Sequence, residues 1–383
     1  MTVEPCPVCQ LRAPCEHRPA YGMGVLDEVR AWFAIYVLTM RDDDLDILTL
    51  WAAHTYLCEE TYSTPRLQID SPIPGSGKTT VLEHFERLCR HPLNMAAISS
   101  PALLVRALEK GPRTLLIDEA DRTLDPKKDG VGDLIAILNS GYKRGGKRPV
   151  LVPGKGGQWA LKEMSTFAPV ALAGNNPALP DDTKTRVIRV LLLPDLEGRV
   201  TPSEWEDIED DAVKLGKRLA EWANGVRKQV RSARPPLPEG CVGRARERWG
   251  PLRRVAEAAG GRWPAVADRL IVADLEAARA DRADGMERVP IHVTLLRDLA
   301  ARWPAGEFWP TEDLLAALVA GHPDRWGTSS PFGKALTAQR LGRMLAGHYK
   351  IHSDRQGDSA RGYFRSHLLP VWGRMGVRTD GTG

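Results

Sequence analysis

The chain has 383 residues, of which 43% are hydrophobic and 27% charged, with a formal net charge of +4. That is the composition of a folded globular protein with room for two or three domains of roughly 150 residues each. No apolar run approaches the roughly 18 residues of a membrane span, and Met1 to Gln10 carry no apolar signal core, so neither insertion nor secretion is expected and a cytoplasmic protein is. Six cysteines in this length do not make a disulfide scaffold. The small positive charge permits nucleic-acid binding without arguing for it.

Residues 1–20 hold Cys6, Cys9, Cys15 and His17. A C-x2-C pair followed by C-x-H offers four ligands for one tetrahedral Zn²⁺, a closed and therefore structural site. The one-residue spacer is cramped, and a reduced leader with chance cysteines is the alternative. Residues 21–65 predict two helices. Val25, Val29, Trp32, Phe33, Tyr36 and Val37 make one stripe, and Leu45, Leu48, Trp51, Ala52 and Leu57 continue it after a break at Arg41 to Asp44. His54, among those apolar residues, reads as a packed core histidine.

Arg66 to Asp70 reads as a short buried strand. It runs into Ser71-Pro72-Ile73-Pro74-Gly75-Ser76-Gly77-Lys78-Thr79-Thr80, with helical apolar spacing from Val81 to Cys89. A glycine-rich turn between strand and helix points backbone N–H groups at one spot, which suits nucleotide phosphates. Gly75, Ser76, Gly77, Lys78, Thr79 and Thr80 are the expected cradle. Lys78 reaches the β and γ phosphates, and the Thr79 hydroxyl serves Mg²⁺. Pro72 stands where the pattern G-x-x-x-x-G-K-[ST] has its first glycine, so the turn is entered more stiffly.

Asn94 to Ser99 predicts a second strand and Pro101 to Glu109 a short helix. Thr114 to Asp121 follows, an apolar strand that delivers Asp118 and Glu119 at its carboxyl edge, where α/β sheets bind ligands. Asp118 is the candidate Mg²⁺ partner, through water, and Glu119 the general base for the attacking water. Gly130 to Tyr142 predicts a helix. A basic turn then carries Lys143, Arg144, Lys147 and Arg148. Pro149 to Pro153 and Gln158 to Lys162, joined by a Lys155-tipped glycine turn, predict a β-hairpin. Lys155, Lys147 and Arg148 are its candidate nucleic-acid contacts, with Trp159 as its sole aromatic residue. Ala168 to Gly174 predicts a core strand ending in Asn175, placed to orient water or touch the γ-phosphate. Thr183 to Arg186 leads to a last strand, Val187 to Leu193.

Ser203 to Val230 predicts a long amphipathic helix whose acidic first turn complements its dipole. A proline-rich linker, Arg231 to Gly240, and further helices from Arg244 to Arg279 complete an expected α-helical lid over residues 201–289. In residues 290–375, helices at Val293 to Arg302, Thr311 to Val319 and Leu336 to Leu345 precede two strands, Tyr349 to His352 and Gly362 to Arg365. Three helices and a hairpin predict a winged-helix-like module. There Arg340, Arg343, Lys350, Arg355, Arg361 and Arg365 could meet phosphates; a solvated basic face or a protein-docking module is the alternative. Residues 376–383 read as a frayed tail.

This order of parts resembles an AAA+ type P-loop ATPase of the helicase-like branch. The expected fold class is therefore α/β: a P-loop NTPase core (66–200) with parallel sheet, inserted β-hairpin, helical lid and winged-helix-like domain. The finer resemblance is to phage, plasmid and actinobacterial ATPases that carry a C-terminal domain of unknown function and are often joined to primase or helicase modules. It rests on Trp51 to Leu57, the Ser71 to Thr79 loop, Ser165 to Gly174, Leu179 to Asp181, Gly260 to Pro264, Leu336 to Leu341 and Arg361 to Phe364. The resemblance implies ATP and Mg²⁺ as ligands and a closed homo-oligomeric ring. Arg186, with Arg189 as alternative, would be the finger that enters a neighbour's site. Arg244, with Arg246 and Arg248 as rivals, would be the lid arginine. The hairpin would grip DNA, preferably single-stranded. The function so implied is an ATP-driven helicase or translocase in phage or mobile-element replication or recombination. The alternative is an ATP-switched loader or scaffold that recruits replication partners without unwinding.

Overall fold

The computed structural model describes residues 24–95, 101–125, 127–153, 158–283, 289–330 and 333–377. Cys6, Cys9, Cys15, His17 and Lys155 lie outside the described residues. The chain divides into two compact units at Ala278 and Arg279.

The first unit runs α1 (Gly24–Tyr36), α2 (Asp43–Leu57), β1 (Arg66–Asp70), α3 (Lys78–Leu88), β2 (Pro92–Met95), α4 (Pro101–Ala107), β3 (Thr114–Ile117), α5 (Ala120–Thr123) and α6 (Val131–Ser140). It continues with β4 (Lys147–Pro153), β5 (Trp159–Ser165), β6 (Val170–Gly174), α7 (Asp181–Lys184), β7 (Val187–Leu191), α8 (Trp205–Ser232), α9 (Gly243–Ala259) and α10 (Trp263–Ala283). Five strands form one parallel sheet in the order β2-β3-β6-β1-β7. Strands covered on both faces read as near-continuous apolar runs, and successive residues serve opposite faces. Leu116, Ala171, Ala173, Ile188 and Val190 join a core with Phe33, Trp51, Phe85, Leu219, Trp249 and Trp263. Their neighbours Leu115, Ile117, Val170 and Leu172 join the other core with Leu104, Leu134 and Leu138.

The central strand departs from this pattern. Leu67 and Ile69 enter the first core, but the alternate residues Arg66, Gln68 and Asp70 are polar and also buried. Arg66 is held by carbonyls: its guanidinium donates to Ala168 O (2.5 Å) and to Leu138 O. Burial pushes its pKa down to about 9, so it keeps its charge at neutral pH.

The helices expected to form a lid share the core of α1–α3 on one face of the sheet instead. Leu215, Leu219, Ala223 and Val230 of α8, and Trp249, Leu252 and Val255 of α9, pack with Trp51 and Phe85. Amphipathic spacing fixes that a helix has a buried side; it does not say which surface covers it. Gly216 lets α8 cross the end of α3, because a Cβ there would lie 2.1 Å from Arg87 O.

The hairpin is a separate two-stranded sheet, its strands longer than the pattern indicated. Val150 and Met164 face the second core. Leu151 and Leu161 stand directly opposite each other on the other face and are 61% and 70% exposed, with Trp159 at 68%.

The second unit comprises α11 (Ile291–Arg302), β8 (Phe308–Pro310), α12 (Thr311–Gly321), α13 (Pro323–Trp326), α14 (Ala338–Tyr349), β9 (Gly362–Phe364) and α15 (Arg365–Arg374). The expected pairing of residues 349–352 with 362–365 does not occur. β9 pairs antiparallel with β8, Trp309 opposite Tyr363, and Gly362 is required where a Cβ would meet Trp309 O at 2.2 Å. Lys350 adopts φ +60° and closes α14, which turns the chain away from strand geometry. Among the described residues no helix is long and apolar enough to cross a membrane.

Candidate active site

β1 ends at Asp70, and the loop that follows delivers α3 at the carboxyl edge of the sheet. Gly75 (φ +77°) and Gly77 (φ +80°) take the left-handed conformation, which glycine adopts without cost. A Cβ at either would meet nothing within 4 Å, so the requirement is conformational and the space over the loop is open. Ser76 turns inward and donates to Ile73 O at 3.0 Å. The first turn of α3, with Lys78, Thr79 and Thr80, contains no acidic side chain. Its N–H groups and the positive end of its dipole therefore face the loop uncompensated.

Three chain-distant segments meet there. Lys78 Nζ donates to Ser71 Oγ (2.5 Å) and to Asn175 Oδ1 (2.8 Å) at the end of β6. Thr79 Oγ1 donates to Asp118 Oδ2 at 3.0 Å, just past β3. Asp118 Oδ1 in turn accepts the Glu119 N–H at 2.8 Å. Glu119 has φ +49°, a strained setting for a non-glycine residue that re-aims its side chain. Arg122 pairs with it at 3.2 Å, and the Glu119 side chain is 57% exposed.

Sequence reasoning missed the residues that fix this edge. Asp70 is fully buried and accepts the Asn176 N–H (2.7 Å) together with Arg189 Nε (2.8 Å). Asp121 Oδ1 accepts the Asn175 N–H at 3.1 Å. Gly174 makes room for that contact, since a Cβ there would lie 2.7 Å from Asp121 Oδ1. One signal was available: polar residues alternating through a buried strand need partners.

Other candidates lie elsewhere. Arg186 precedes β7, and its carbonyl accepts the Arg66 N–H at the start of β1 (3.1 Å). It therefore sits at the amino-terminal ends of the strands, a strand length of roughly 16 Å from the loop. There it caps α7 through Asp182 and lies over the Tyr142 ring. Arg244 is at those same strand ends. It pairs with Glu247, whose other oxygen takes Lys143, and the Glu247 carbonyl accepts from Ser63. Lys147 and Arg148 of the hairpin are paired with Glu163 and Asp133.

A mixed α/β core with a parallel sheet and a glycine loop opening a helix at its carboxyl edge is the class that this fold and site define. Residues 197–375 match the family described as "Protein of unknown function (DUF3631)"; the match covers α8 to α15 and leaves the sheet outside it. The chain is 34% identical over 164 residues to an uncharacterized 28.9 kDa protein in the xis 5′ region of Saccharopolyspora erythraea. That stretch is 42% of this chain and 59% of the relative's length. Among solved structures, the C-terminal region of NrS-1 aligns with a TM-score of 0.43 at 13% identity, over 94% of this chain and 78% of the other. JCV helicase aligns with a TM-score of 0.32 at 15% identity, over 68% of this chain and 63% of that one.

Proposed function

We propose that this chain is a Mg²⁺-dependent ATP hydrolase of the P-loop, AAA+ and helicase-like kind, acting as a motor on DNA. The convergence of Lys78, Thr79, Asp118 and Asn175 on one strand edge carries the reading. The residues fit the ligand. The open glycine loop and the uncompensated start of α3 suit a polyphosphate, and Lys78 supplies a cation beside it. Thr79 and Asp118 are hard oxygen donors 3.0 Å apart, the donor type Mg²⁺ takes. Bound there, the metal would neutralise charge on the phosphates. Glu119 is the base that polarises water. Its pair with Arg122 is largely exposed and worth under about 1 kcal/mol, so releasing it is cheap. Asn175 positions the water or the terminal phosphate. Arg186, remote from its own loop, acts on a neighbour's nucleotide in a ring, since a head-to-tail interface that closes makes a cyclic oligomer.

Steady-state Mg²⁺-ATPase measurements test this. Glu119→Gln should still bind a fluorescent ATP analogue but lose about 10²-fold or more in turnover, while Lys78→Ala should lose binding. Normal turnover in Glu119→Gln removes its role as base. Single-stranded DNA should stimulate the wild-type rate.

One observation favours a second reading, that of a loader or scaffold. The hairpin presents Leu151, Leu161 and Trp159 to solvent, and carboxylates already hold Lys147 and Arg148. Such a surface suits a protein contact better than a phosphate backbone. Nucleotide-dependent partner binding without DNA-stimulated turnover would decide for it.

A further inference from the structure

At the amino-terminal ends of the strands a cleft of about 280 Å³ opens between the segment before β1 and α9, lined among others by Tyr62, Arg234, Leu237, Arg246 and Arg254. Among the described residues Arg234, Arg246 and Arg254 form no ion pair with a carboxylate, and only the more distant Glu60 charge acts on Arg254. Arg246, exposed, makes no ion pair or side-chain hydrogen bond among the described residues. Arg234, among the described residues, donates only to the carbonyls of Arg231 and Ala233. Arg254, among the described residues, donates only to those of Glu60, Val230 and Arg231. Beside them, Arg144 reaches the Glu59 carbonyl. Carbonyls orient a guanidinium without neutralising it.

The acids nearby are already engaged. Glu247 holds Lys143 and Arg244, Glu60 holds Arg227 and Arg231, and Glu59 holds Arg90. The arginines feel one another: the Arg254 pKa is pushed down to about 10, by burial first and then by the Arg234 charge. Such crowding is relieved by a bound anion. Tyr62 is 59% exposed, with Lys143 Nζ 5.7 Å from its ring centre, so an aromatic face stands next to the forks. Pro235, Leu237 and Pro251 supply apolar lining.

We infer that this cleft binds single-stranded nucleic acid, with phosphodiester oxygens on Arg234, Arg246 and Arg254 and one base stacked on Tyr62. Planar guanidinium forks match phosphate geometry, and a base on an aromatic ring adds sequence-tolerant affinity. The inference shares with the proposed function the premise that the chain works on nucleic acid, and it places the contact away from the hairpin. It is independent of ATP.

Fluorescence anisotropy of the full chain with labelled oligo-dT, without nucleotide and across a salt series, tests it. Arg234→Ala/Arg246→Ala, both at exposed positions, should weaken binding about 10- to 100-fold. It should also lower the slope of log Kd against log salt by about 1.4, since each of the two phosphate contacts removed contributes roughly 0.7 on a single strand. Tyr62→Ala should weaken binding about 5- to 100-fold with the slope unchanged. Urea midpoints equal to wild type confirm that the variants are folded. Variants that bind oligo-dT like wild type overturn the cleft while leaving the DNA reading in place. A wild-type chain that binds no oligo-dT at any salt overturns both. Competition by polyglutamate as effective as by unlabelled oligo-dT overturns the nucleic-acid assignment in favour of simple charge.

Discussion

Asp70→Asn probes the edge that holds the loop. The carboxylate has no exposed surface and accepts from the Asn176 N–H, the Arg189 guanidinium (Nη2 at 2.5 Å) and, weakly, Gln68 Nε2 at 3.3 Å. Asparagine is nearly isosteric and keeps one oxygen, which can stay with the Asn176 N–H. Its amide nitrogen then faces Arg189 and Gln68, donor against donor. Losing a charge-assisted hydrogen bond costs about 1.5–3 kcal/mol, whereas breaking a wholly buried pair costs about 3–5 kcal/mol. Arg189 is 57% exposed and can swing into water, so the lower range applies and a loss of about 2–3 kcal/mol is expected. Urea denaturation gives the stability, and a cycle with Arg189→Met should show coupling of about 1–2 kcal/mol. A change below about 0.5 kcal/mol, or strict additivity with Arg189→Met, would refute the account of this edge as one hydrogen-bonded unit.

Gly216→Ala sets helix propensity against packing. Alanine favours a helix by about 1 kcal/mol, but its Cβ would lie 2.1 Å from Arg87 O. Overpacking of about 1–3 kcal/mol should therefore win, and thermal melting should show net destabilisation. His84 accepts from Trp32 Nε1 on Nδ1 (3.0 Å) and lies within 3.0 Å of Ser203 Oγ through Nε2. Burial first, then the Arg87 charge, pushes its pKa down to about 4. The unfolded chain therefore binds a proton that the folded one refuses, and stability falls as pH drops from about 6.5 toward 4, by about 1.4 kcal/mol per pH unit. In His84→Gln the slope of stability against pH in that window should drop by one proton; an unchanged slope would show that His84 titrates freely in the folded chain. Arg186→Ala should abolish ATPase activity, and mixing it with Lys78→Ala should restore part, because one interface then pairs an intact loop with an intact arginine. No restoration at any ratio would rule out sharing.

The loop was legible because its chemistry is local. Glycines, lysine and threonine lie within a few residues of one another, and Asp118 and Glu119 announce themselves at the end of an apolar run. Asp70, Gln68 and Arg66 were not. Alternating polar residues in a five-residue strand gain meaning only once β6 and β7 flank it and supply the Asn176 N–H and Arg189. The C-terminal hairpin differs from its sequence pattern for a similar reason. β9 pairs with β8, more than fifty residues earlier in the chain, and β8 ends in Pro310, a residue that argues against a strand. Lys143 and Arg144 looked like one basic turn with Lys147 and Arg148. In space the first two dock beside Tyr62, while the second two belong to the hairpin.

The central strand joins these observations. An all-apolar β1 would have added to both cores, yet one of its faces carries Arg66, Gln68 and Asp70, each needing partners in a dry interior. At one end Asp70 ties the loop edge to β6 and β7. At the other, Arg66 lies 5.7 Å from the Tyr142 ring centre and Arg186 lies 5.8 Å from it, with the Arg66 N–H on the Arg186 carbonyl. The polar face thus fixes the register of β1 against both neighbours, since a slip of one residue would send Arg66 and Asp70 into the aromatic core around Trp51 and Phe85. Apolar residues in their place would bury more surface but would hold neither end. Rigidity at the loop and at Arg186 therefore depends on the same five residues, and that couples the placement of the candidate finger to the geometry of the glycine loop.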